Sequence, residues 1–174
     1  MTGQPVEIDL GCGDGSFLVA YARRHPERNF LGVERLLGRL RKLDRRGRKL
    51  GLENLRGLRV EFGYFVRHLL PPESVAAFHV YFPDPWPKKR HHKNRTVNPE
   101  FPTLVWRILQ PDGVIHLRTD HAEYFAQMRE VFAAAAGFQA VPTPEELAEV
   151  LTDFEQGFRA QGLATHCAAY MKTH

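Results

Sequence analysis

The feature that most constrains the fold is a strand followed at once by a glycine-rich turn and a helix. Val6 to Leu10 is a short apolar run typical of a buried strand, and Gly11, Gly13 and Gly15 follow it directly. From Ser16 to Arg24 the apolar residues recur with helical spacing. This order predicts the first strand, turn and helix of a nucleotide-binding α/β fold.

The alternation of strands and helices continues along the chain and predicts one α/β domain over residues 1–174. Alternating elements of this kind form a doubly wound, mostly parallel sheet with helices on both faces. The further predicted strands are Asn29 to Val33, Leu58 to Phe62, Phe78 to Phe82, Val114 to Leu117 and one between Ala164 and Met171. The further predicted helices are one with an apolar stripe of Leu36, Leu40, Leu43 and Leu50, then Phe101 to Leu109, Ala122 to Ala136 and Pro144 to Leu151.

Composition indicates the class of protein and the cellular compartment to be expected for this chain. Hydrophobic residues make up 43% and charged residues 25%, as in an ordinary globular protein, which excludes disordered and collagen-like classes. Met1 to Leu10 lacks the pattern of a secretion signal, and no run of about 18 apolar residues suggests a membrane span. Two cysteines are too few for a disulfide framework or a zinc site. We therefore expect a cytoplasmic protein with neither membrane nor metal partners.

Charge is unevenly distributed along the chain. Arg35 to Arg59 holds ten Lys or Arg residues against two acids, and Lys88 to Arg95 holds five with no acid. Asp120 to Glu155 instead holds eight carboxylates and one basic residue. Such a separation of basic and acidic segments favours a polyanion bound along one face of the protein. For Arg35 to Arg59 the alternative is a helix face that is merely exposed to solvent.

The glycine turn carries a pattern that selects among nucleotide cofactors. Asp9 to Gly15 contains G-x-G-x-G preceded by an acid, whereas a dinucleotide fingerprint would need a third glycine where Ser16 stands. S-adenosylmethionine is cationic at its sulfonium and carries no pyrophosphate, so the acid favours it over NAD. Glu34 ends the second predicted strand, where a carboxylate can accept hydrogen bonds from ribose hydroxyls. The alternatives are a plain tight turn and, for Glu34, a cap of the next helix.

The segment after the fourth predicted strand is the most informative. Pro83 and Pro85 flank Asp84 and restrict the backbone, so Asp84 is expected to be held rigidly at the mouth of the sheet. The same segment contains Trp86, five cations and two histidines. These residue types are suited to binding phosphates and to stacking on a base.

This segment, Phe82 to Arg95, resembles the signature of tRNA (guanine-N7-)-methyltransferases of the bacterial single-chain type, which modify the variable loop. The resemblance extends to the Asp9 to Gly15 loop, to Glu34, to Thr119-Asp120, and to Thr152 to Glu155, which is similar to a T-x-[FY]-E substrate motif. It implies a class I (Rossmann-like) S-adenosylmethionine-dependent methyltransferase fold and methyl transfer to N7 of a guanosine in tRNA.

The resemblance also implies roles for individual residues. Asp84 would be catalytic and would also contact S-adenosylmethionine. The other implied cofactor contacts are Asp9, Gly11, Gly13, Gly15 and Glu34, with Glu61 as a shifted substitute for an adenine-contacting acid. The implied guanosine contacts are Lys88, Asp120, Thr152, Asp153, Phe154 and Glu155, and the implied RNA contacts are Arg90, His91, His92, Lys93, Asn94 and Arg95.

Several alternatives accompany this interpretation. Where the family has an acid after the third strand this chain has Gly63-Tyr64, and where a basic residue follows T-x-[FY]-E it has Gly157. The missing acid keeps open an RNA-binding protein without catalysis as a competing function. An NAD-dependent oxidoreductase is the other competing function, and it would need a third glycine where Ser16 stands. Asp120 could instead cap a helix, and Thr152 with Glu155 has capping-box spacing.

Overall fold

The computed structural model describes residues 3–173, except for the side chains of Phe154 and Arg159. Seven strands form one sheet in the order β3-β2-β1-β4-β5-β7-β6. The strands are β1 (Val6–Leu10), β2 (Asn29–Val33), β3 (Leu55–Leu58), β4 (Val75–Tyr81), β5 (Leu109–Thr119), β6 (Phe138–Val141) and β7 (His166–Lys172). The helices are α1 (Ser16–Arg24), α2 (Leu37–Lys49), α3 (Phe62–His68), α4 (Phe101–Ile108), α5 (Ala122–Ala133), α6 (Glu145–Glu149) and α7 (Asp153–Ala160), with a 3-10 helix at Lys89–Asn94.

The sheet combines a parallel part with an antiparallel end. Strands β1 to β5 pair in parallel, and β7 runs antiparallel between β5 and β6. Parallel strands joined by helices place all their carboxyl ends at one edge, which is where such sheets bind ligands. The predicted doubly wound, mostly parallel sheet is confirmed. No helix within residues 3–173 is long and apolar enough to cross a membrane.

Each face of the sheet has its own apolar core because side chains alternate along every strand. On one face Ile8 and Phe78 pack with Val105 of α4 and Met128 of α5. On the other face the core includes α1 and Leu43 of α2, which is 1% exposed. Burial on both sides accounts for the mainly apolar sequence of β4, whereas β1 alternates its apolar residues with the buried acids Glu7 and Asp9.

The prediction of the third strand was wrong. The strand is β3, Leu55–Leu58, and Phe62 begins helix α3. The carboxylate of Glu61 accepts hydrogen bonds of 2.8 Å from the backbone N–H groups of both Gly63 and Tyr64. This N-cap ends the extended backbone and starts the helix, so Glu61 lies beyond the strand. Other elements that the sequence did not predict are β6, α7 and the 3-10 helix.

Candidate active site

An acidic residue stands at or just beyond the carboxyl end of each of the five parallel strands. Asp9 lies in β1 next to its end, and the others follow their strands by one to three residues. The sheet therefore collects on one edge the carboxylates that the sequence predicted for cofactor and substrate. In strand order they are Asp9, Glu34, Glu61, Asp84 and Asp120.

The glycine turn between β1 and α1 leaves room for a ligand. Gly11, Gly13 and Gly15 have φ angles of 86°, 56° and 77°, in the left-handed region that favours glycine. A Cβ at Gly11 or Gly13 would meet nothing within 4 Å, whereas one at Gly15 would lie 2.7 Å from Leu43. The first two glycines thus keep the backbone open on its outer side, and the third allows α1 and α2 to pack closely.

Asp9 is a buried carboxylate at this turn and suits a cationic ligand. Asp9 is only 3% exposed to solvent. Burial raises the pKa of Asp9 to about 7, against the opposing charge of Arg118 and with a further rise from nearby Glu34. Glu34 is also buried, and it accepts a 2.8 Å hydrogen bond from the backbone N–H of Leu36. A nearby cation stabilises two neighbouring carboxylates whose charges are not fully balanced by the protein. The sulfonium group of S-adenosylmethionine is a cation of this kind.

The backbone around Asp84 is held in an uncommon conformation. Phe82 and Trp86, on either side of the Pro83-Asp84-Pro85 segment, have φ angles of 51° and 43°. Bulky residues adopt this left-handed region only where the surroundings impose it, and such strain is concentrated at functional sites. The Phe82 N–H donates to the carbonyl oxygen of Arg118 at 2.8 Å, which fixes the segment to β5. Asp84 itself is exposed at this rigid corner.

Arg95 supports the Asp84 segment from inside the protein. Its Nε donates to the carbonyl oxygen of Pro85 at 2.7 Å, and its Nη2 lies 2.7 Å from the carboxylate of Glu123. Its guanidinium also lies 4.7 Å from the centre of the Tyr124 ring. Arg95 is 1% exposed. The charge of Arg95 is therefore paired and buried within the protein, and its contact with RNA stays a prediction.

The remaining residues of this segment lie at the surface. His91 and His92 are half-buried, and the Trp86 ring meets His91 edge-on, with ring centres 5.8 Å apart. The exposed members are Lys88, Lys89, Arg90, Lys93 and Asn94. Their contacts with guanosine and RNA stay predictions.

The T-x-[FY]-E segment begins helix α7 with a capping box. Thr152 Oγ1 accepts from the Glu155 N–H at 3.0 Å, and Glu155 Oε2 accepts from the Thr152 N–H at 2.9 Å. Glu155 is 2% exposed and also pairs with Arg118. Glu155 therefore holds the segment in place, and its predicted contact with guanosine stays a prediction. Asp153 is the exposed acid, and the Phe154 side chain lies outside the described part.

Asp120 is not a helix cap. Helix α5 is capped by His121, whose ring accepts a 3.2 Å hydrogen bond from the Tyr124 N–H. The Thr119 hydroxyl accepts from the His121 N–H at 3.2 Å. Asp120 is thus left exposed between β5 and α5, and its contact with the substrate stays a prediction.

Sequence reasoning missed the buried polar side chains beneath the site. Glu7 and His79 lie on adjacent strands with Glu7 Oε2 2.8 Å from His79 Nε2, and hydrogen bonds from His79 and Arg28 outweigh burial to hold the pKa of Glu7 at about 2. Arg118 lies on the same face, with its guanidinium 4.2 Å from the centre of the Tyr81 ring. The available signal was that Arg118 stands two positions after His116 and therefore on the same face of the strand. Within residues 3–173, no group of three or more potential ligands could hold a metal ion.

Comparison with known proteins agrees with this geometry. A family profile described as "putative methyltransferase" matches residues 3–168. The tRNA (guanine-N(7)-)-methyltransferase of Halorhodospira halophila is 38% identical over 173 residues, which cover 95% of this chain and 74% of that protein. The chain belongs to the tRNA (guanine-N7-)-methyltransferase family. The methyltransferase of the same name from Nitrosococcus oceani is 37% identical over 156 residues, and this chain spans 66% of its length.

Solved structures show the fold of this methyltransferase independently. The 16S rRNA methyltransferase KamB superposes with a TM-score of 0.71 at 18% identity, covering 98% of this chain and 89% of KamB. A SAM-dependent O-methyltransferase from Thermotoga maritima gives a TM-score of 0.64 at 14% identity, covering 98% of this chain and 60% of the other. The fold is that of class I methyltransferases, and S-adenosylmethionine is the cofactor.

Proposed function

We propose that this chain transfers a methyl group from S-adenosylmethionine to N7 of a guanosine in tRNA. The observation that carries the proposal is the rim of five acids at the carboxyl edge of the sheet, next to an exposed basic segment. The acids suit a cationic donor and a purine that gains positive charge, and the basic segment suits the phosphates of a nucleic acid. The relatives from Halorhodospira halophila and Nitrosococcus oceani are tRNA (guanine-N(7)-)-methyltransferases, which supports this substrate.

The donor would be held by the glycine turn and by Asp9 and Glu34. S-adenosylmethionine supplies an electrophilic methyl group carried on a sulfonium centre. Asp9 would offset the cationic charge of the donor, while Glu34 would accept hydrogen bonds from ribose hydroxyls. Glu61 already caps α3, and its exposed carboxylate lies after β3, where an adenine contact is expected.

Asp84 would act through its charge and its position, without removing a proton. N7 of guanine presents a lone pair and carries no proton, so the new bond to carbon forms as the bond from carbon to sulfur breaks, with no base required. Positive charge moves from sulfur onto the purine, and a fixed carboxylate beside it lowers the energy of the transition state. A rigid backbone at Asp84 keeps that carboxylate in place before the reaction begins.

The guanosine would be selected by exposed groups around Asp84. Carboxylates accept hydrogen bonds from the donors on the Watson–Crick edge of guanine, which adenine presents differently. Asp120 and Asp153 are the exposed acids available for this contact, and Lys88 lies on the same loop as Asp84. The exposed cations Lys89, Arg90 and Lys93 would bind the tRNA backbone. We place this reaction in the cytoplasm.

The test is a methylation assay on unmodified tRNA with labelled S-adenosylmethionine, followed by mapping of the modified atom. We expect label on N7 of guanosine and none when the tRNA is replaced by one already methylated there. Binding of tRNA without any methyl transfer would favour the competing function, an RNA-binding protein that lacks catalysis. Tight binding of NAD in calorimetry, with none of S-adenosylmethionine, would favour the oxidoreductase.

A further inference from the structure

Helix α2 carries two separate rows of basic residues on its exposed sides. Its core-facing side is formed by Leu40, Leu43 and Gly47. One row, with spacings of three and four residues, is Arg39, Lys42, Arg46 and Lys49, and the other is Arg41, Arg45 and Arg48. Because a helix turns once every 3.6 residues, these rows lie on different flanks of the helix.

The first row faces the active site. Arg46 Nη2 lies 3.1 Å from the carboxylate of Asp14, in the glycine turn, and 3.3 Å from that of Asp153, in the T-x-[FY]-E segment. The Asp153 N–H also donates to Ser16 Oγ at 3.1 Å, which ties the segment to the start of α1. Arg46 therefore links the glycine turn to the T-x-[FY]-E segment. The row of basic residues that contains Arg46 thus lies beside the candidate active site.

Arg39 and Lys42 belong to this row and have no acidic partner within residues 3–173. Arg39 and Lys42 line a cleft of about 250 Å³ together with Gly13, Asp14 and Asp153. Both side chains are exposed, and in the part of the chain that the structure describes neither forms an ion pair. Unpaired cations in a row that faces the candidate active site are suited to a polyanion that must enter that site.

We infer that Arg39 and Lys42 bind backbone phosphates of the tRNA strand that carries the target guanosine. This inference rests on the proposed function and adds a second contact surface to it, on the helix that follows β2, which β1 separates from β4 and its basic loop in the sheet. Phosphate contacts fix the position of a nucleic acid without reading its sequence. The cleft would thus orient the strand so that its guanosine reaches Asp84.

The test compares two double variants of α2 that lose the same charge from different flanks. Arg39→Gln with Lys42→Gln removes the proposed contacts, and Arg41→Gln with Arg45→Gln is the matched control on the other row. All four residues are exposed, so melting curves are expected to be unchanged. The measurements are tRNA affinity between about 50 and 200 mM salt and affinity for S-adenosylmethionine.

Each phosphate contact with a single strand contributes about 0.7 to the slope of log affinity against log salt. We expect the Arg39/Lys42 variant to lose about 1.4 from that slope, and to bind tRNA several-fold more weakly at low salt, with unchanged donor affinity. The control variant is expected to keep a slope closer to that of the wild type.

Three outcomes would overturn the inference. Equal losses in both double variants would show a general effect of charge, and an unchanged slope in the first would remove phosphates from the cleft. Loss of donor affinity instead of tRNA affinity would assign the two cations to the carboxylate of the donor. These results are distinct from failure of the proposed function, which is read from the wild-type chain alone as an absence of N7 methylation.

Discussion

Arg118 of β5 and Glu155 of α7 form an ion pair closed to solvent, with Nη1 2.9 Å from Oε2 and side chains that are 1% and 3% exposed. The same guanidinium donates to the backbone carbonyl oxygens of Leu147 and Val150, the first of these in α6. A single side chain thus fastens the T-x-[FY]-E segment to the sheet beside Asp9. The contribution of Arg118 is to position this segment, since its own side chain is buried and closed to solvent.

Replacing Arg118 with Met is expected to leave the Glu155 carboxylate buried without its partner. Removal of one member of a buried pair costs about 3–5 kcal/mol, and the loss is measurable by urea unfolding. The double variant Arg118→Met with Glu155→Gln should recover part of that loss, because it removes the unpaired charge. Additive losses in the double variant would show that the pair is not coupled. In methylation assays of folded protein, we expect a larger rise in the KM for tRNA than for the donor.

Replacing Asp84 with Asn, or with Ala, is expected to lower the single-turnover rate of methyl transfer by about 100-fold or more, as for loss of one preorganised electrostatic group. Binding of tRNA should change little, because its affinity comes mainly from phosphate contacts. Asp112→Asn is a matched control: Asp112 is an exposed acid near the amino end of the same sheet, away from the site. A wild-type rate in Asp84→Asn would remove Asp84 from the mechanism.

Donor binding is expected to depend on the ionisation of Asp9. Burial raises the pKa of Asp9 to about 7 in the free protein, so the carboxyl is mostly protonated at pH 6 and mostly ionised at pH 8. If a cationic donor binds the ionised form, its Kd should fall about tenfold from pH 6 to pH 8 and level off above pH 8. Calorimetry measures this directly. Asp9→Asn should bind the donor weakly with a much flatter pH profile, and an unchanged profile would exclude Asp9 as its source.

Ionisation of Asp9 also affects the stability of the folded chain. A rise in pH is expected to strengthen donor binding but to lower this stability. A pKa raised above the ordinary 3.8 means that the folded chain holds this proton more tightly than the unfolded chain. The contribution of Asp9 to the free energy of unfolding therefore falls as the pH rises from about 4 to about 7. We expect Asp9→Asn to be more stable than the wild type at pH 8 and similar to it near pH 4. Equal effects at both pH values would contradict this assignment.

The glycine turn offers a matched pair that separates backbone strain from packing. Gly13 and Gly15 both have positive φ, but only at Gly15 would a Cβ lie 2.7 Å from Leu43. Gly13→Ala should cost about 1–2 kcal/mol of left-handed strain, measured by urea unfolding without donor. Gly15→Ala should cost about 1–3 kcal/mol more because of overpacking. Leu43→Ala in the Gly15→Ala background should relieve that additional cost; purely additive effects would argue against the steric explanation.

The parallel part of the fold could be predicted because its signals are local. Strand β1, the glycine turn and α1 were predicted with their observed bounds, since apolar periodicity and glycine positions determine them. Helix α3 was missed because Leu58 to Phe62 is apolar enough to suggest a strand, while the deciding contact is the Glu61 side chain on the helix N–H groups.

The site could be predicted only in part because several of its contacts join residues distant in sequence. Arg95 belongs to a basic run that favours a surface role, and its burial depends on Glu123, 28 residues further along. Arg118 is bound by Glu155, 37 residues away. A sequence shows which residues carry charge near a motif, but these distant pairings decide which charges remain available to a ligand.

The position of β7 has a consequence for biosynthesis. Among the strands within residues 3–173, β7 is the last in chain order, yet it lies between β5 and β6 and completes both of their ladders. A nascent chain on the ribosome therefore exposes β5 as an open edge until β7 has emerged, and open edges recruit other chains. A nonsense mutation before β7 would accordingly cause aggregation of the truncated product, instead of merely shortening a tail.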